Sequence, residues 1–139
     1  MEIVNGLWLG KITHLEELTL RSFSKYAEFH LWTYDEFDIS IKNVIVRNGR
    51  EILPDKDIFV YPAKMDLPFG GGTYVGFSEI FRYKVLYDKG GWWSDMDITC
   101  LKPLEDIKSE YFFREHGTLP LVGNIIKCPP KSELMRMCY

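Results

Sequence analysis

Two aspartates separated by a single residue carry the most distinctive chemistry in this 139-residue sequence. Asp95 and Asp97 follow the run GGWWS, at what the pattern indicates is the end of a β-strand, where residues i and i+2 point to the same face. Two carboxylates that project together repel one another unless a cation lies between them. Oxygen ligands of this kind suit Mg²⁺ or Mn²⁺, which keep positions open for phosphate oxygens. The pair therefore predicts a divalent metal site, although two solvated aspartates at a strand end would give the same short pattern.

Strand and helix signals alternate along the chain and predict the elements that hold this pair. Short apolar runs predict strands, and apolar residues at helical spacing predict helices. The predicted strands are 2–9, 28–33, 43–47, 57–61, 92–100, 111–114 and 121–127. The predicted helices are 14–26, 73–88 and a segment that begins at Ser132. This order predicts an α/β fold in a single domain, residues 1–139, with a mostly parallel central sheet flanked by helices.

Local signals also predict how the first helix begins and which face it buries. Thr13 followed three residues later by Glu16 is a capping box. Leu15, Leu18 and Phe23 form the apolar stripe that we expect to face the core. At the carboxyl edge of a parallel sheet, the aspartate pair would face the crevice where ligands usually bind.

Composition and charge exclude several classes of function. The net charge of −3 comes with scattered Lys and Arg and no basic stripe, so we expect no nucleic-acid partner. No apolar run is long enough for a transmembrane segment, and residues 1–5 lack a signal-peptide pattern. Three widely spaced cysteines fit neither a zinc site nor a disulfide framework, which predicts a reducing, cytoplasmic location. Because the last helix stops after one or two turns, we expect the chain to be part of a longer catalytic domain, truncated at its C-terminus.

A longer block of residues that ends at the two aspartates is more specific than the aspartates alone. Residues 78–97 read SEIFRYKVLYDKGGWWSDMD, and LKPL follows at 101–104. This block closely resembles the DXD-region signature of sugar transferases. It is similar to glycosyltransferase family 32, which includes yeast mannosyltransferases and bacterial capsule enzymes, and to the related large clostridial glucosylating toxins. The opening block IVNGLWLG at 3–10 is similar to the first strand of the same family.

This resemblance implies a GT-A fold, a Rossmann-like domain that binds a nucleotide sugar. It implies metal-dependent transfer of a sugar, with retention of configuration, from a nucleoside-diphosphate sugar to a saccharide acceptor; we expect a UDP-sugar as donor. Asp97 would be the direct ligand of Mn²⁺ or Mg²⁺, and Asp95 would help to hold the metal while reaching the ribose or sugar hydroxyls. The metal would neutralise charge on the departing diphosphate. Asp95, Asp97 and Arg82 are the implied catalytic residues.

The opening block implies further donor contacts at Trp8, Leu9 and Gly10. Trp8 would stack on the nucleotide base, whereas a lone tryptophan on a strand ordinarily packs in the core. Gly10 would let the backbone approach the ligand closely.

The helix before the aspartates and the turn after it supply the remaining implied contacts. Glu79 and Arg82 lie on one helix face; the resemblance places them on sugar and phosphate oxygens, and the alternative is a surface ion pair. Glu79 stands where the toxins have Asp, so no donor sugar is carried over from them. Gly91 would let the chain turn beneath the donor. Trp93 stands where relatives carry Tyr and would keep a stacking role without a hydroxyl hydrogen bond.

Two other functions remain open on the sequence. Asp95-x-Asp97-x-Thr99 also matches the motif of haloacid-dehalogenase phosphatases, in which the first Asp is a nucleophile. The chain could also be a non-catalytic module that binds a nucleotide sugar. The glycine run 70–72 could cradle phosphate at a helix N-terminus, although a surface loop is the simpler interpretation.

Overall fold

A computed structural model of the chain describes residues 1–62 and 71–139, apart from the side chains of His116, Leu119 and Pro120. Within these ranges the strands are β1 Ile3–Leu7, β2 Glu28–Thr33, β3 Val44–Asn48, β4 Gly91–Ser94, β5 Phe112–His116 and β6 Leu119–Cys128. The α-helices are α1 His14–Phe23, α2 Val75–Lys89 and α3 Glu133–Cys138. Short 3₁₀ turns cover Gly49–Glu51, Asp55–Asp57 and Leu104–Asp106.

The six strands form one sheet in the order β3-β2-β1-β4-β6-β5. The pairs β3–β2, β2–β1 and β1–β4 are parallel, whereas β6 pairs antiparallel with both β4 and β5. The predicted α/β fold with a mostly parallel sheet is confirmed. Parallel strands are buried on both faces, and two apolar clusters accordingly occupy the two sides of this sheet.

Helix α1 shows both a confirmed and a wrong prediction. Its capping box is present, because the Thr13 side chain caps the helix and Glu16 accepts from the Thr13 backbone. The predicted apolar stripe is wrong at two of its three positions, since Leu15 and Leu18 are 52% and 51% exposed. The buried face is instead Glu16, Thr19, Leu20 and Phe23, which lie at the i, i+3, i+4, i+7 spacing of one helix face. The helix also ends at Phe23 and not at Tyr26.

Two predicted strands differ in the structure. Residues 57–61 form no strand and do not pair with β3. The Ile58 N–H instead donates to the Asp55 carbonyl oxygen, and the Tyr61 N–H donates to the Thr73 carbonyl oxygen. The strand predicted at 92–100 ends at Ser94. Beyond it the chain turns at Met96, whose carbonyl oxygen accepts a hydrogen bond from Thr19 Oγ1 at 2.8 Å.

Among the described residues, no helix is both long and apolar enough to cross a bilayer. The predicted glycine-rich loop falls largely outside the described residues, since 63–70 are not among them and only Gly71 and Gly72 are.

Candidate functional site

A cavity of about 580 Å³ opens where β1 and β4 end. This is the carboxyl edge of the parallel strands, where ligands of open α/β sheets bind. Its lining comes from the end of β1, the first turn of α1, the first half of α2 with the residues just before it, and the end of β4 with the turn after it. The lining residues are Leu7, Trp8, Leu9, Leu15, Glu16, Gly72, Thr73, Tyr74, Val75, Ser78, Arg82, Trp93, Asp95, Met96 and Asp97.

Asp95 is the half-buried carboxylate of this cavity. Its Oδ1 accepts a hydrogen bond from the Trp93 indole Nε1 at 2.8 Å and lies 3.6 Å from Arg82 Nη1. Burial raises the pKa of Asp95 above its ordinary value, while the Arg82 charge and the Trp93 hydrogen bond act in the opposite direction. The Asp97 charge adds a smaller rise to this pKa, as expected for two neighbouring carboxylates.

Asp97 lines the same cavity but is exposed. Because the strand ends at Ser94, the same-face argument made for residues i and i+2 of a strand does not apply. The turn nevertheless brings both carboxylates to one cavity wall.

This donor set fits Mg²⁺ or Mn²⁺. No group of three or more His, Cys, Asp and Glu side chains that could hold a metal occurs among the residues described by the structure. A cation at this turn would therefore take carboxylate oxygens from Asp97 and Asp95 and complete its shell with phosphate oxygens and water, as Mg²⁺ commonly does. The Asp95 carboxylate is already engaged by Trp93 and Arg82, which leaves Asp97 the freer ligand.

Arg82 lies against the inner wall of the cavity with its side chain only 8% exposed. Its Nη1 donates to the carbonyl oxygen of Gly123 on β6, and its Nη2 lies 3.9 Å from Glu79 Oε1. The guanidinium carbon lies 5.7 Å from the centroid of the Trp93 ring. Its Nε is buried and has no hydrogen-bond partner within the described part of the chain. The buried cation is therefore oriented chiefly by Gly123, Asp95 and Trp93.

The end of β1 presents Trp8 and Leu9 to the cavity. The Trp8 backbone continues the parallel ladder by donating to the Trp32 carbonyl at 3.0 Å. Its indole Nε1 donates to the Lys11 carbonyl at 3.1 Å, which fixes the ring plane. Trp8 is only partly buried, so it is not a core tryptophan. Gly10 is exposed, has φ +95° and does not line the cavity.

Three of the other predicted contacts lie outside the cavity or have no free face. Gly91 begins β4 and does not line the cavity; its φ is +83°, and a Cβ there would be 2.9 Å from the Ile3 carbonyl oxygen. Glu79 is exposed outside the lining. Trp93 is 1% exposed and packs in the core against Phe81, so its ring has no open face for stacking, and its N–H orients Asp95 instead.

The sequence predictions missed the residues that complete the cavity wall. Tyr74, Val75 and Ser78 come from the first turns of α2, and Leu15 and Glu16 come from the first turn of α1. In the sequence, an exposed leucine in the first turn of a helix, such as Leu15, is only a weak signal of a ligand contact. Gly123 gives no signal, because its contact is with Arg82 in a distant element.

Residues 19–114 match the family described as the glycosyltransferase sugar-binding region containing a DXD motif. The chain belongs to this family. The matched range includes Asp95-Met96-Asp97, the Asp-x-Asp triplet at the cavity. The predicted resemblance to DXD-region sugar transferases is thereby confirmed at the level of this family.

The fold is similar to a solved structure, PaToxG glycosyltransferase, with a TM-score of 0.67 and 16% sequence identity. The aligned region covers 97% of this chain and 57% of that one. At this identity the likeness shows the fold, a GT-A-like α/β domain, and the chain spans little more than half the length of that structure. A comparison with curated proteins gives no match.

Proposed function

We propose that this chain forms the donor site of a glycosyltransferase that moves a sugar from a nucleoside-diphosphate sugar, a UDP-sugar in the first instance, to a saccharide acceptor. The observation that carries the proposal is the convergence of Asp95, Asp97 and Arg82 on one cavity at the carboxyl edge of β1 and β4. Mn²⁺ or Mg²⁺ would be held by Asp97 and Asp95. The finer resemblance to family 32 supports retention of configuration, and the three widely spaced cysteines support a reducing, cytoplasmic location.

The residues of the cavity have distinct tasks in this proposal. Trp8, whose ring is fixed by its bond to the Lys11 carbonyl, offers an apolar face to the nucleotide base. Arg82 supplies a fixed positive charge toward sugar or phosphate oxygens, and a preoriented charge of this kind stabilises the charge that develops as the diphosphate leaves. Asp95 accepts from Trp93 through one oxygen and can accept from a sugar hydroxyl through the other.

A divalent cation, when bound, supplies further neutralisation of the leaving diphosphate. Because Asp95 is half-buried, the effective dielectric constant around it is lower than in water. Each of these electrostatic interactions is therefore stronger. No side chain of this cavity is assigned as nucleophile or base.

The phosphatase alternative has less support. Thr99 of the Asp-x-Asp-x-Thr motif is exposed and does not line the cavity. Asp95, the would-be nucleophile, has its Oδ1 engaged by the Trp93 indole. Membership in a DXD glycosyltransferase family also favours sugar transfer. A non-catalytic nucleotide-sugar module is the second candidate, because the cavity by itself supports binding.

Calorimetric titration with UDP-glucose, UDP-N-acetylglucosamine, UDP-galactose and GDP-mannose, each with and without Mn²⁺, tests the proposal. We expect one of them to bind with an affinity that Mn²⁺ increases, and the Mn²⁺ dependence to disappear in Asp97→Ala. Asp106→Ala is the matched control, since Asp106 is exposed and outside the cavity. Metal-independent binding that is unchanged in Asp97→Ala would refute the metal site, and no binding of any donor would refute the donor site.

A second measurement separates base stacking and catalysis from metal binding. Trp8→Ala should weaken binding of the nucleotide with or without Mn²⁺, whereas Trp8→Phe should retain most of the affinity because a ring face remains. Incubation of the bound donor with oligosaccharide acceptors, followed by mass spectrometry, then distinguishes an enzyme from a binding module. Donor binding without transfer to acceptor or to water would favour the module.

A further inference from the structure

Strand β6 holds both members of the Arg82–Asp95 ion pair through two successive carbonyl groups. The Gly123 carbonyl oxygen accepts from Arg82 Nη1, and the Asn124 carbonyl oxygen accepts from the Asp95 backbone N–H at 2.8 Å. The range that matches the family ends at residue 114, so neither of these two residues falls within it.

Position 123 has no room for a side chain. A Cβ built on Gly123 would lie 2.6 Å from Arg82 Nη1 and 3.1 Å from its Cζ, closer than nonbonded atoms approach. The guanidinium is 8% exposed and lies beside the Trp93 ring, so it has little space to move sideways. Any side chain at 123 therefore has to push the guanidinium away from the carbonyl that it binds and away from its 3.6 Å approach to Asp95.

We propose that Gly123 is a positioning residue of the donor site: it leaves the space that the Arg82 guanidinium fills, and its carbonyl aims that cation at Asp95 and the cavity. The inference rests on the proposed function, in which Arg82 contacts the donor. It adds a residue from the antiparallel β6 to a site otherwise formed by β1, α1, α2 and the turn after β4.

This role predicts that a side chain at 123 weakens donor binding by the folded protein. The atoms that a new Cβ would meet are at the far end of a flexible side chain, so the fold adjusts by moving Arg82, and the loss of stability is limited to the contacts that the guanidinium gives up. The displaced positive charge lowers the affinity for the donor. A glycine needed only for packing would show loss of stability with unchanged affinity of the folded fraction.

The test uses Gly123→Ala with Gly117→Ala as matched control, because a Cβ at Gly117 meets no atom of the described residues, its chain neighbours aside, within 4 Å. The ligand is the tightest of the four sugar nucleotides above, with Mn²⁺. We expect Gly123→Ala to raise Kd about tenfold, the effect of losing one hydrogen bond between the guanidinium and the donor, with a loss of stability no larger than that of Arg82→Met. Gly117→Ala should match wild type. Wild-type affinity in Gly123→Ala would overturn the inference.

A double-mutant cycle shows whether Arg82 is the residue through which Gly123 acts. In an Arg82→Lys background, which lacks the planar fork, adding Gly123→Ala should raise Kd by less than about twofold, because coupled positions are non-additive. An equal effect in both backgrounds would overturn the inference.

The NMR resonance of the Trp93 indole N–H, which binds Asp95, provides a readout that needs no ligand. It should shift in Gly123→Ala and not in Gly117→Ala. If wild type binds no sugar nucleotide, the proposed function fails, and the indole resonance still decides whether Gly123 positions the ion pair; an unshifted resonance would overturn that.

Discussion

Arg82 Nη1 lies 3.6 Å from Asp95 Oδ1, and this ion pair joins helix α2 to the turn after β4. The two side chains differ in environment, since Arg82 is 8% exposed and Asp95 is 36% exposed. Burial of Asp95 favours its neutral form, and the guanidinium helps to keep it ionised. The pair is therefore a means of holding a carboxylate charged at the edge of the core, where it can meet a donor.

Replacement of Arg82 by Met should lower the free energy of unfolding by about 1–3 kcal/mol, because the Gly123 carbonyl and the Asp95 carboxylate lose their donor. Urea denaturation at pH 7 measures this difference. Arg21→Met is the control: Arg21 is exposed in its ion pair with Glu17, and such pairs contribute about 0–1 kcal/mol. Equal losses in the two variants would contradict a structural role for the Arg82 contacts.

Asp88 should make stability depend on pH. Burial raises its pKa, but hydrogen bonds from Lys84 and Lys131 outweigh burial and hold the pKa below its ordinary value of 3.8. The ionised carboxylate therefore stabilises the fold above pH 3.8, and this contribution is lost as the pH falls through the lowered value.

The substitution Asp88→Asn should accordingly lower the free energy of unfolding at pH 7 by about 0.2–1 kcal/mol, the range measured for ion pairs at a protein surface. The difference from wild type should shrink in urea titrations as the pH is lowered below 3.8. Asp106→Asn, an exposed site, serves as the control. A stability difference that stays constant with pH would show that the ion pairs are not its source.

Gly91 should contribute to stability and not to donor affinity. Its φ of +83° strains any residue with a Cβ, and that Cβ would lie 2.9 Å from the Ile3 carbonyl oxygen. Gly91→Ala should cost about 1–3 kcal/mol, measured by urea or thermal unfolding, while the folded fraction keeps its donor Kd because Gly91 is outside the cavity. A large change in Kd with unchanged stability would support the predicted ligand contact at Gly91.

The contribution of the α1 capping box to the free energy of unfolding should be measurable through a substitution at Glu16. Glu16 Oε2 accepts from the Thr13 backbone at 2.7 Å and from the Thr13 hydroxyl at 2.5 Å. Glu16→Ala should lower the free energy of unfolding by about 0.5–1.5 kcal/mol, the net contribution of a hydrogen bond such as that to the Thr13 backbone. Glu17→Ala removes only the exposed pairs with Arg21 and His14 and should cost less. The opposite order would argue against the cap.

Local interactions explain which predictions from the sequence hold. The Thr13–Glu16 box involves residues three apart, and α2 ends at Gly90, whose φ of +67° is one that glycine adopts readily. Both signals lie within a few residues of the structure that they determine.

Nonlocal contacts explain which features of the structure could not be predicted. The strand predicted through Asp95 ends at Ser94, and the Asp95 N–H is instead bound by Asn124 of β6. Gly91 has a positive φ, and its backbone lies against the Ile3 carbonyl oxygen of β1. Trp93 is buried against Phe81 of α2. None of these partners could be recognised from the residues adjacent to each position.

Strand β4 is the place where the sheet changes from parallel to antiparallel pairing, with β1 on one side and β6 on the other. A donor bound at its end would thus contact, directly or through Arg82, segments that meet only when β1, β4 and β6 have assembled. Partly unfolded forms that lack β6 should not bind it. At a free donor concentration 100 times Kd, binding should add about 2.7 kcal/mol to global stability. Hydrogen exchange should show that gain in the amides of β1, β4 and β6 together.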